Sequence, residues 1–132
     1  MKAPPIRFLA AEQIITIHEE LLEKWGGDEG GGHRGALYEG VDAAVQAVKN
    51  SYYETVSELA AAYAVYIVQG HVFSDGNKRT GCGAMLAFAA SNGERLAVSP
   101  RRLKELMLEV QERAESGESP ARLIRWLAAE IE

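Results

Sequence analysis

His71-Val72-Phe73-Ser74-Asp75-Gly76-Asn77-Lys78-Arg79-Thr80, followed by Gly81-Cys82-Gly83-Ala84-Met85-Leu86-Ala87-Phe88-Ala89-Ala90-Ser91-Asn92-Gly93, decides the fold. Its first part carries most of the chain's dense polar chemistry. The segment that follows is apolar on every helical face, and a helix of that kind belongs in the interior of a domain. The stretch therefore predicts a polar loop set on the N-terminal end of a buried central helix.

The physics of that junction favours an anion. The first backbone N–H groups of a helix lack partners and carry partial positive charge. A phosphate satisfies both, the more so with the cations Lys78 and Arg79 at the helix entrance. Gly76, without a Cβ, lets the backbone turn with positive φ and lets a ligand approach. Asn77 can cap the helix or donate its amide to a phosphate oxygen. Asp75 suits an anion site only if a cation such as Mg²⁺ joins carboxylate to phosphate. An imidazole can take a proton from a hydroxyl at neutral pH, the use that His71 invites.

Each of these residues has a plainer reading. His71 follows Gly70 and can merely cap the preceding helix. Phe73 is core in either case, anchoring the loop. Asp75-Gly76-Asn77 alone is an ordinary turn. Lys78 and Arg79 alone would be a solvated helix end. The ordered string is more specific than its parts.

Outward from this junction, 132 residues suit one domain spanning the chain, 1–132. With 47% hydrophobic residues the chain can fill a core, and disorder is not expected. A net charge of −5 argues against direct nucleic-acid binding. The single cysteine excludes an intrachain disulfide and fits a reducing cytoplasm. Cys82 lies in the apolar segment and reads as a small core residue, not a nucleophile. No N-terminal run resembles a signal peptide and none is long enough to span a membrane, so a cytoplasmic protein is expected.

Helical spacing predicts a first helix over 11–25, with Ile14, Ile15, His18, Leu21, Leu22 and Trp25 on one stripe. His18 on that stripe reads as a hydrogen-bonded core histidine, with an accessory role at the site as the alternative. Gly26-Gly27 ends the helix, and Asp28 to Arg34 is a glycine-rich polar loop without a Gly-x-x-x-x-Gly-Lys-[Ser/Thr] pattern. A second helix is expected from Gly35 to Lys49 and a third from Thr55 to Gln69. Tyr52 and Tyr53 lie between them, available for contact with a partner or for packing. Asn92-Gly93 ends the central helix. Ser99-Pro100 and Ser119-Pro120 each read as an N-cap followed by Pro at the first helical position. Ile6 to Leu9 and Glu94 to Val98 could form short strands. The fold class is all-α: a compact bundle around a buried central helix, with at most short strands.

His71 to Thr80 resembles the signature of the Fic/Doc family, His-x-Phe-x-[Asp/Glu]-[Gly/Ala]-Asn-[Gly/Lys]-Arg, and more narrowly its Doc (death-on-curing) branch. The likeness extends through Ile17 to Gly27 and Gly35 to Val48, and covers most of the chain from about Phe8. By resemblance, His71 is the catalytic base, Asp75 holds Mg²⁺, and Asn77 and Arg79 bind the phosphates of ATP, with Gly76 and Lys78 in the same phosphate-binding loop. Arg34 matches an arginine common in Doc-like proteins. Two positions depart from the common Fic form. Lys78 stands where that form has Gly, and Cys82 where it has a second Arg. Doc-like proteins share the lysine, whereas Gly76 is nearer the Fic form than the usual Doc alanine.

The resemblance therefore implies an enzyme, a protein Ser/Thr kinase toxin of a toxin–antitoxin system. It would transfer the γ-phosphoryl group of ATP to a translation protein such as elongation factor Tu. Its neutralising partner would be an antitoxin that docks through a C-terminal segment. No [Ser/Thr]-x-x-x-Glu-[Gly/Asn] inhibitory motif occurs in the chain, which fits inhibition from outside. The alternatives are a Fic-type nucleotidyltransferase, adding AMP or another NMP, and an inactive Fic-like binding module.

Overall fold

Apolar residues at helical spacing produce six α-helices over the residues that a computed structural model of the chain describes, 5–25, 34–73 and 76–132. They are α1 (Ala11–Trp25), α2 (Arg34–Lys49), α3 (Val56–Gln69), α4 (Asn77–Ser91), α5 (Pro100–Glu115) and α6 (Pro120–Ile131). The helix ends follow the local chemistry. Thr55 and Glu58 form a capping box on α3, the threonine hydroxyl accepting from Glu58 N–H and Glu58 Oε1 accepting from Thr55 N–H. Ser99 and Ser119 cap α5 and α6 with proline at the first helical turn. Past α4, Gly93 N–H reaches Ala90 O and Glu94 N–H reaches Ala89 O, the paired bonds of a Schellman ending. Gly117 and Glu118 repeat that pattern after α5.

No strand occurs among the described residues. The alternation that suggested strands at 6–9 and 94–98 is real, since Ile6, Phe8, Leu96 and Val98 pack on the core. Arg7, Arg95 and Ala97 meanwhile face water. In the first segment Phe8 meets Phe88 of α4 and Leu9 bonds Tyr63 of α3, so alternate residues are buried against helices without a hydrogen-bonded ladder.

The most enclosed helix is α3. Leu59 to Val65 are buried without a break, followed by Ile67 and Val68, and α3 touches α2, α4, α5 and α6. The sequence assigned the central place to the helix after the polar loop. That helix, α4, buries Thr80, Gly81, Ala84, Met85, Phe88 and Ala89 but leaves Leu86 39% exposed. The physical reason lies in their neighbours: α3 packs against α2, α4, α5 and α6, whereas α4 packs against α1, α3 and α5. The two helices still pack closely: a Cβ on Gly81 would lie 3.1 Å from Val68 Cγ2 and 3.2 Å from the carbonyl oxygen of Ala64.

Two side chains fasten the N-terminal arm to this pair. The Tyr63 hydroxyl accepts from Leu9 N–H at 2.9 Å and donates to Leu9 O at 3.3 Å, inside the core. Asn92 accepts from Arg7 N–H at 2.8 Å and donates to Arg7 O at 3.0 Å and to Phe88 O at 2.8 Å.

Replacing Tyr63 with Phe strands two buried backbone groups and should cost about 1–3 kcal/mol in urea unfolding. Burial holds the Tyr63 hydroxyl up at about 12. In the unfolded chain a tyrosine ionises first, near pH 10, so it binds fewer protons than the native state above that pH. The parent should therefore lose stability between roughly pH 10 and 12. Tyr63→Phe should lack that share of the loss, measured as the difference between the two denaturation curves.

Candidate active site

The loop between α3 and α4 is shaped by its backbone. Gly70 caps α3, its N–H reaching Tyr66 O at 3.0 Å. His71 follows at φ 45°, a left-handed conformation that histidine tolerates better than most side chains. This turn leaves its side chain exposed. Phe73 drops into the core at 2% exposure, as the sequence implied. Gly76 then takes φ 80° as the N-cap of α4, with no side-chain cap bond.

Asn77 does not cap the helix. It is the first residue of α4, and its side chain grips the loop instead. Its Oδ1 accepts from Phe73 N–H at 2.9 Å and its Nδ2 donates to Phe73 O at 2.7 Å. A side-chain amide has two N–H bonds, so this grip uses one of them and a cavity ligand can still take the other.

Beneath the loop lies His18 of α1, 2% exposed. Its ring stacks on Phe73 with centroids 3.7 Å apart and planes 13° from parallel. Its Nδ1 shares a hydrogen bond with Thr80 Oγ1 at 3.0 Å. A Cβ on Gly76 would sit 3.5 Å from its Cε1. The histidine is thus a hydrogen-bonded core residue, as its place on the apolar stripe suggested. It also forms the floor on which Phe73, Gly76 and Thr80 all rest, a role visible only in three dimensions.

Above this floor opens a cavity of about 270 Å³, lined by Val68, His71, Gly76, Asn77, Lys78, Arg79 and Gln111. It brings together His71, Gly76, Asn77, Lys78 and Arg79, the signature-loop candidates that fall among the described residues. Asp75 lies outside them, as do the segment from Asp28 to His33 and the side chain of Arg34. Among the described residues no group of three or more His, Cys, Asp or Glu is placed to hold a metal ion. Cys82 is half-buried and packed on the core, and burial pushes its thiol pKa up, which suits the core role expected of it. Of the two tyrosines before α3, Tyr52 is 99% exposed and Tyr53 packs against the core.

Gln111 was not anticipated. It is one polar residue among many on α5, and nothing in the local sequence marks it. The packing of α5 against α4 brings it to the cavity wall, where its Oε1 accepts from Lys78 Nζ at 2.6 Å. Its Nε2 donates to Glu115 Oε1 at 3.1 Å.

Asn77→Ala removes both bonds to Phe73 and should destabilise the ligand-free protein by about 1–2 kcal/mol in urea unfolding. A side chain that served only to touch a ligand would cost nothing in that measurement.

The model of the Fic/DOC family matches residues 8–89, from the N-terminal arm through most of α4. Protein kinase doc of Escherichia phage P1 is 33% identical over 98 residues, which cover 72% of this chain and 75% of that protein. On both the extent of the family match and this identity, the chain belongs to the Fic/DOC family.

Proposed function

We propose that the chain is a Doc-type protein kinase that transfers the γ-phosphoryl group of ATP to a Ser/Thr hydroxyl of another protein. The observation that carries this reading is a single cavity walled by an exposed imidazole, two cations and the N-terminus of a well-packed helix. Phosphoryl transfer asks little covalent chemistry of a protein; it asks for positioning and charge neutralisation. The α4 terminus, Lys78 and Arg79 supply positive charge to the phosphates. His71 takes the proton of the attacking hydroxyl as its oxygen bonds to the γ-phosphorus, and the bond to the β–γ bridging oxygen breaks to release ADP.

Mg²⁺ would neutralise the triphosphate further. In such sites it draws most of its ligands from phosphate oxygens and water, and Asp75 is the protein carboxylate assigned to it. The nature of Lys78 favours γ-transfer over nucleotidyl transfer. Its side chain occupies a wall that a glycine would leave open, and it extends across to α5. The likeness to Protein kinase doc supports the same choice. Within this reading the target is a translation protein such as elongation factor Tu. The regulator is an antitoxin whose C-terminal segment docks on the chain in the cytoplasm.

Incubation with Mg²⁺, elongation factor Tu and ATP labelled at either the α or the γ position tests the proposal. Label should pass to the target from the γ position only. Transfer from the α position alone would replace the kinase with a nucleotidyltransferase. His71→Ala should slow transfer by roughly 10²–10⁴ while leaving the fold intact. Parental transfer and growth arrest in that variant would favour a binding module. Arg79→Ala should weaken ATP binding by about 1.5–3 kcal/mol, the range for hydrogen bonds to charged groups, in a calorimetric titration.

A further inference from the structure

We infer that Gln111 is a positioning residue for Lys78, holding its ammonium on the α5 side of the cavity, where it meets the outer phosphates of a nucleotide. This rests on reading the cavity as a nucleotide site. Among the described lining residues, the others all belong to the stretch from Val68 to Arg79. Gln111 alone comes from another part of the chain, and it touches the lysine directly at 2.6 Å.

Lysine carries a compact charge on a flexible four-carbon stem, and an exposed one would sample many rotamers. Lys78 is exposed along its side chain, yet its ammonium is held by Gln111. The carboxamide is held in turn: its Nε2 donates to Glu115 Oε1 one turn further along α5. Both ends of Gln111 are engaged, and its carbonyl oxygen points at the lysine. The ammonium has three donors, so the bond to Gln111 leaves others for phosphate. A carboxamide suits this task better than a carboxylate would. It orients the lysine without cancelling the charge the anion needs.

The direction of the held lysine sets what it can read. A phosphate seated at the α4 N-terminus is bound by the helix amides, whereas the bond to Gln111 holds the Lys78 ammonium against α5. The lysine therefore meets phosphate groups that extend outward from the helix terminus. The affinity gained through Gln111 should appear for ATP and not for AMP.

The test is a calorimetric titration of the full chain with ATP and with AMP, in the parent, Gln111→Ala, Gln111→Glu, Lys78→Ala and the double variant Lys78→Ala/Gln111→Ala. Arg79→Ala serves as the control on the site itself. Freeing one lysine side chain should weaken ATP binding about three- to tenfold in Gln111→Ala, the range for ordering a single flexible side chain. AMP binding and the melting temperature should stay at parental values. Gln111→Glu should weaken ATP more than Gln111→Ala does, because a carboxylate pairs with the lysine and repels the phosphates. In the Lys78→Ala background, removing Gln111 should have no further effect. Parental ATP affinity in Gln111→Ala, equal losses for ATP and AMP, or full additivity with Lys78→Ala would each overturn the inference. If Arg79→Ala also leaves ATP binding unchanged, the nucleotide reading of the cavity fails. If Arg79→Ala weakens ATP while Gln111→Ala does not, only the role of Gln111 is lost.

Discussion

The stacking of the buried His18 ring on Phe73 is the contact on which the site depends. At 3.7 Å between centroids it ties α1 to the loop, and the bond from Nδ1 to Thr80 ties both to α4. An isolated loop of this composition would sample many conformations, each carrying entropy that a ligand would have to remove. Packing Phe73 on a second ring, beside Gly76 already in the left-handed region, restrains those two residues before any ligand arrives. Polar chemistry at the surface is thus positioned by apolar and hydrogen-bonding contacts in the interior.

The same device recurs at both ends of α4. Asn77 at the start and Asn92 at the end each hold a neighbouring backbone segment by its N–H and its C=O, at Phe73 and Arg7 respectively. An asparagine amide can replace the peptide group that a β-ladder would have offered. In this all-helical chain, segments without regular structure are fastened to a helix in this way. Behind α4, the alanine-rich α3 lets its neighbours approach closely, so the helix presenting the cavity rests on the most enclosed of the described helices.

The cavity combines a fixed dipole with charge carried on side chains. The N-terminal amides of α4 are placed by the backbone and cannot move independently. Lys78 and Arg79 sit on long side chains whose value to an anion depends on where they are held. The bond between Lys78 and Gln111 supplies such a restraint from outside the loop, and it links α5 to a site that is otherwise local in sequence. Lysine at this position therefore draws in a second helix, a connection that a glycine at the same point could not make.

Most of the helical framework was legible without coordinates. Helix boundaries follow from apolar spacing and from Thr55, Ser99, Pro100, Ser119, Pro120 and Gly93, because capping and turn chemistry act over a few residues. The grouping of His71, Gly76, Asn77, Lys78 and Arg79 was legible for the same reason: they are neighbours in one loop and its helix. Tertiary packing decided what depends on distant contacts. It placed α3 rather than α4 at the most enclosed position, since burial depends on all neighbours of a helix and not on its own composition. It left the two alternating segments without a ladder, because a strand needs a partner that no local pattern can guarantee. It put His18 beneath the loop and Gln111 against Lys78 across 62 and 33 residues of chain. Those contacts exist only because the helices that carry them pack together.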